Sequence, residues 1–174
     1  VTNFDRRFTI LSSSGDSVLR MVETPFTRIE DVDIVDDSLV MVSAILDRDF
    51  TSPRLHLWDT QNDRRVRSFF EPFEATPNQT AASVASWTMV AIRGDTVAAI
   101  FSVSDSVYLY TIAGDRLVAH PLPSRHFRAV PETAPDPNVD PRQRAQWLGS
   151  FDYMSDVHWL SNGDLLILYK SLLP

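Results

Sequence analysis

The sequence predicts an all-β, antiparallel fold, and three observations carry that expectation. Apolar and polar residues alternate in short windows, clusters of Gly, Asn, Asp and Ser separate those windows, and no long segment holds the 3.6-residue period of a helix. Composition agrees with a folded chain. Of 174 residues, 44% are hydrophobic and 22% charged, and the absence of Cys means that any core forms without disulfides.

Each element follows from its local pattern. Residues 8–11 run into Ser-Ser-Ser-Gly-Asp at 12–16, and Val18, Arg20 and Val22 then alternate with Leu19 and Met21, which predicts a hairpin. Residues 31–35 meet a turn at Asp36-Asp37-Ser38. The following strand, 39–46, places Val40, Val42 and Ala44 on one face and Met41, Ser43 and Ile45 on the other. Leu55, His56 and Leu57 lead through Trp58-Asp59 to the turn Gln61-Asn62-Asp63, after which Val66 and Phe69 return. Three further hairpins turn at Arg93-Gly94-Asp95, at Ala113-Gly114-Asp115 and at Ser161-Asn162-Gly163-Asp164. The single helical expectation covers 141–148, where Asp140 can cap and Pro141 suits the first helical position; one or two turns are predicted.

Two kinds of hairpin alternate along the chain. The first reads Val32-Asp33-Ile34-Val35-Asp36-Asp37-Ser38-Leu39-Val40, then recurs at 90–97 and 157–165. The second reads Thr9-Ile10-Leu11 with Gly15-Asp16, then recurs at 57–64 and 109–116. Its turn Asp stands at 16, 63 and 115, a period of about 50 residues. Two hairpins per period is the content of a four-stranded propeller blade. With these residues the chain resembles the six-bladed β-propellers built from NHL or TolB-like repeats: 55–66 and 107–118 look like the outer half of a blade and 157–169 like an inner half. The resemblance implies antiparallel four-stranded blades of an open or partial β-propeller, with a β-sandwich built from the same hairpins as the alternative. A closed ring of six blades needs about 250 to 300 residues. This chain holds about three, so raw sheet edges are expected at both ends. One domain over 1–174 is expected, with long loops at 71–86 and 124–153.

Charge and motifs exclude several functions. A net charge of −7 disfavours a broad electrostatic grip on nucleic acid. No window approaches the ~18 consecutive apolar residues of a transmembrane helix. The chain begins at Val1 without Met and stops just after an apolar run, which raises the expectation that it is part of something longer. Asp31 and Asp33, two apart on a strand, point the same way in outline like calcium ligands, but Asp36 and Asp37 fit a hairpin turn, and the acidic cluster is read as a solvated strand and turn. His56, His120, His126 and His158 lack metal-ligand spacing. No nucleophile elbow or phosphate loop is present. No catalytic residue, metal or cofactor is assigned. Trp58, Trp87 and Trp159 fall in strand windows and read as packing; Trp147 lies in a long loop.

That loop carries the residues expected to meet a partner: Arg125, His126, Phe127 and Arg128, followed by Trp147, Phe151 and Tyr153. Arg with aromatics is the composition of binding hot spots, and prolines at 131, 135, 137 and 141 stiffen the segment. The functional expectation is a non-catalytic protein-interaction or scaffolding module. It would be an accessory subunit docking on other protein subunits of a larger complex, for example a photosynthetic or respiratory membrane complex, in a periplasmic or extracytoplasmic setting. The alternative expectation is a fragment of a propeller enzyme or small-ligand-binding protein.

Overall fold

The computed structural model describes residues 6–47, 51–72, 87–122, 127, 128, 130 and 140–170. It is all-β. Strands β1 (Arg7–Leu11) and β2 (Val18–Glu23) form a hairpin. Strands β3 (Arg28–Ile34), β4 (Leu39–Ile45), β5 (Leu55–Asp59) and β6 (Arg64–Phe69) form a four-stranded meander, and β7 (Thr88–Arg93), β8 (Thr96–Phe101), β9 (Ser106–Thr111) and β10 (Arg116–Pro121) form a second. Strands β11 (Tyr153–Trp159) and β12 (Leu165–Lys170) close the described chain as another hairpin. Every ladder is antiparallel between strands consecutive in sequence.

The four units stack face to face, and their apolar clusters define three layers of core. Val22 and Phe26 meet Val42, Ala44 and Trp58 between the first hairpin and the first meander. Met41, Leu57 and Phe70 meet Val90, Ala99 and Phe101 between the two meanders. Met89, Ala98 and Ile100 meet Met154 and Val157 between the second meander and the last hairpin. Both meanders are therefore covered on both faces, unlike the two sheets of a sandwich around one core. This explains β4 and β8, whose runs are apolar at nearly every position and almost wholly buried. The expected face assignment of β4 holds: Val40, Val42 and Ala44 belong to the first layer and Met41 to the second, while Ser43 Oγ donates to the Thr88 carbonyl 2.7 Å away in the next sheet.

The turns sit where the sequence placed them. Asp36 Oδ1 accepts from the amides of Ser38 (2.7 Å) and Leu39 (2.9 Å), holding the β3–β4 turn. Gly114, at φ +88°, takes a left-handed conformation that a side chain resists, and a Cβ there would stand 2.9 Å from Cδ1 of Phe69. The helix α1 (Pro141–Leu148) forms over the expected residues, with Pro141 in its first turn and the Asp140 carboxylate accepting from the Arg142 amide at 2.9 Å. Of the expected loops, 73–86 and most of 123–139 lie outside the described residues.

Candidate functional site

The first strands of three successive units, β3, β7 and β11, lie side by side. Strand β7 is the edge of its sheet, so the amides of Thr88, Val90 and Ile92 point away from β8 and need acceptors. Side chains of β3 supply them. Glu30 Oε2 accepts from the Thr88 amide at 2.8 Å, Asp31 Oδ2 from Val90 at 2.9 Å, and Asp33 Oδ2 from Ile92 at 2.7 Å. A bulge between Ile29 and Asp31 lets the adjacent Glu30 and Asp31 both reach β7. The second oxygens of Asp31 and Asp33 accept from the following amides, Val32 at 2.9 Å and Ile34 at 2.8 Å.

The acidic cluster thus divides. Asp36 is the turn residue the sequence indicated, whereas Asp31 and Asp33 are engaged by an edge strand instead of being solvated. Burial pushes the carboxyl of Glu30 up from its ordinary value, against the pull of its ion pair with Arg28 and of the Thr88 amide. Burial also pushes Asp31 up, against the amides of Val90 and Val32, with the Asp156 and Asp33 charges adding to the rise. Strand β11 repeats the device: a bulge lies between Met154 and Asp156, and Asp156 Oδ1 accepts from the Val157 amide at 2.9 Å. Its Oδ2 is 2.9 Å from Nε2 of His158.

Where the three strands meet, Asp31, Asp33, Ala91, Asp156, His158 and Trp159 line an open pocket of about 280 Å³. The Trp159 indole donates to the Ala91 carbonyl at 3.2 Å and joins β11 to β7. Among the described residues no group of three or more His, Asp or Glu is placed to hold a metal ion. No helix among them is long and apolar enough to cross a membrane.

The residues expected to meet a partner are distributed differently from a surface patch. Arg125 and His126 lie outside the described residues. Phe127 is buried in the layer formed with Met89, Ala98 and Met154. Trp147 and Phe151 are buried with Val103 in a cluster of their own, their rings 4.9 Å apart, and the Tyr153 ring lies tilted 4.8 Å from that of Phe151 while its hydroxyl donates to the Leu148 carbonyl at 2.9 Å. Burial lifts the Tyr153 phenol to about 12. Arg128 holds the buried carboxylate of Asp152 through Nε (3.1 Å) and Nη2 (2.9 Å), and its amide donates to the same group at 2.8 Å. These side chains fasten the loop to its own molecule; aromatic and Arg residues suit a desolvated intramolecular contact as well as an intermolecular one.

Asp152, buried in the core, gave no signal in the sequence. His56 alternates with apolar neighbours, which suggests a residue on a polar face, but the structure corrects this: it is fully buried on β5, with Nδ1 2.8 Å from Ser68 Oγ and Nε2 3.3 Å from the Ala44 carbonyl. A carbonyl can only accept, so the proton sits on Nε2 and Ser68 donates to Nδ1. Burial holds the imidazole down to about 4. Compared with known proteins, the chain matches no protein-family model and no curated protein.

Proposed function

We propose that the chain is an arc of a β-propeller that works as a non-catalytic protein-interaction module, joining other protein subunits through its open ends. One observation carries the reading: the two end hairpins have the residues of interior strands but only one covered face. Strand β12 reads Leu165-Leu166-Ile167-Leu168, as continuously apolar as the buried β4 and β8, yet Leu166 and Leu168 are 41% and 44% exposed. At the other end Leu11, Leu19 and Met21 are likewise exposed. Apolar rows beside unpaired strand edges are sites where another protein chain docks or adds strands.

The test is native mass spectrometry of the 174-residue chain with and without Leu166→Glu and Leu168→Glu. The native chain should be found in a stoichiometric protein assembly, and the double variant should lose it with an unchanged circular dichroism spectrum. A chain that stays a lone monomer, and takes no protein partner, overturns the proposal.

The pocket between β3, β7 and β11 favours a second reading, a small-ligand binder whose acidic lining selects a cation. Against it, both oxygens of Asp31 and of Asp33 already accept backbone amides. Calorimetric titration with small organic cations, which should give heat in the native chain and none in Asp156→Ala, separates the two readings.

A further inference from the structure

The outer edge of the first meander is basic in an acidic chain. Against a net charge of −7, three of the 16 Lys and Arg residues stand within positions 64–67, on β6. Strand β6 is the edge strand of its sheet, and Arg64, Arg65, Val66 and Arg67 are all exposed, Val66 by 50%. Arg64 lies 3.6 Å from Asp59 yet keeps 70% of its side chain in solvent. Arg65 and Arg67 make no hydrogen bond or ion pair among the described residues.

The strand pairings show which backbone groups of β6 face outward. The Ala44 to Arg54 and Thr60 to Ser38 bonds turn the backbones of His56 and Trp58 toward β4, so those of Leu57 and Asp59 face β6 and meet Arg67 and Arg64. The backbone groups of Arg65 and Ser68 therefore point away from the sheet, on either side of a bulge at Val66. The side chains flank this edge on both faces. Arg64 and Arg67 share the face of Leu57, toward the second meander, and Arg65 the face of Trp58, toward the first hairpin. The matching outer strand β10 differs: it carries one Arg, Arg116, whose guanidinium lies 5.5 Å from the centre of the Tyr108 ring, and it ends on Pro121, which has no amide to offer.

From the outward backbone groups and the arginines on both faces, we infer that β6 takes an acidic, extended segment of another protein as an added strand. Carboxylates alternating along that strand meet Arg65 on one face and Arg64 and Arg67 on the other, while its backbone bonds those of Arg65 and Ser68. Arginines on an edge repel a second copy of the same edge, and the same charge selects a strand of opposite sign. The phosphates of a nucleic acid or a membrane satisfy the arginines but cannot donate to the outward carbonyls, as the amides of a strand can. This surface is separate from the open ends proposed above and does not depend on them.

Fluorescence anisotropy with a labelled peptide of alternating Glu and Val tests the inference. The native chain should bind it, more weakly as salt rises, and should ignore the corresponding Lys and Val peptide. Arg65→Glu/Arg67→Glu should bind about tenfold more weakly with an unchanged circular dichroism spectrum. A Glu and Val peptide N-methylated throughout, with the same charge and no amide donors, should not bind. In the native chain the bound peptide should slow hydrogen exchange at the Arg65 and Ser68 amides and not at Ala119, which follows the β10 bulge as Ser68 follows that of β6. Binding that survives N-methylation, or that a phosphatidylserine vesicle or a single-stranded oligonucleotide matches, reduces the site to charge and overturns the inference. Absence of binding makes the arginines guards of the edge and overturns it too. Leu166→Glu/Leu168→Glu should bind the peptide as the native chain does; loss of binding there places the peptide at the open end and overturns the role of β6, whereas a failure at β6 leaves the open-end reading standing.

Discussion

His56 shows how one residue ties stability to pH. In the folded chain its imidazole is held down to about 4 by burial, while in the unfolded chain it takes a proton near its ordinary 6.5. The unfolded state therefore binds more protons between these values, and the histidine's contribution is complete above about pH 6.5 and is lost as the pH falls toward 4. The full difference corresponds to about 3 kcal/mol. Glu30 and Asp31, pushed up by burial, act in the opposite sense. Urea melts of the native chain and His56→Leu at pH 7 and pH 4.5 should show the variant with the shallower decline, although less stable at pH 7 because Ser68 and Ala44 lose their partner. Phe151 makes the second residue-scale prediction. It is 0% exposed between Trp147 and Tyr153, so Phe151→Ala should cost about 3 to 5 kcal/mol. That appears as a drop in Tm of roughly 10 °C, at about 2 to 4 °C per kcal/mol for a chain of this length. A side chain kept for a partner would leave Tm unchanged.

At the scale of elements, the strand alternation was legible and the joints between sheets were not. The Asp140-Pro141 cap located α1, and turn residues such as Asp36-Asp37-Ser38 and Arg93-Gly94-Asp95 located the hairpins they close, because these signals depend on neighbours in sequence. The role of Asp31 and Asp33 did not follow from their spacing. Alternation shows that they share a side of β3, but it does not show that the amides of Val90 and Ile92 wait there, 59 residues further along. These carboxylates in effect seal an edge strand. Asp33→Ala should therefore destabilise the chain by about 1.5 to 3 kcal/mol, the range for hydrogen bonds to charged groups. It should also speed hydrogen exchange at the Ile92 amide more than at Ile100, while Asp33→Asn, which keeps an acceptor oxygen, should recover part of the protection. Equal exchange in all three chains would mean that the contact carries no weight.

For the whole molecule, stacking sets a gradient of stability. Strands β4, β5, β7 and β8 are enclosed between layers, whereas β1 and β12 have one bare face and one unpaired edge. Hydrogen exchange at low micromolar concentration should be slowest in the first group and fastest in the second. The sequence by itself determined the all-β class, the strand and turn positions, the alternating pair of hairpins and their period, since each rests on local steric preference and on the two-residue repeat of a pleated strand. Only the tertiary structure decided that Trp147, Phe151 and Phe127 turn inward, that Arg128 is committed to Asp152, and that the carboxylates of β3 belong to β7. Whether an apolar or charged side chain is buried depends on what lies across from it in space, and residues far apart in the chain supply that.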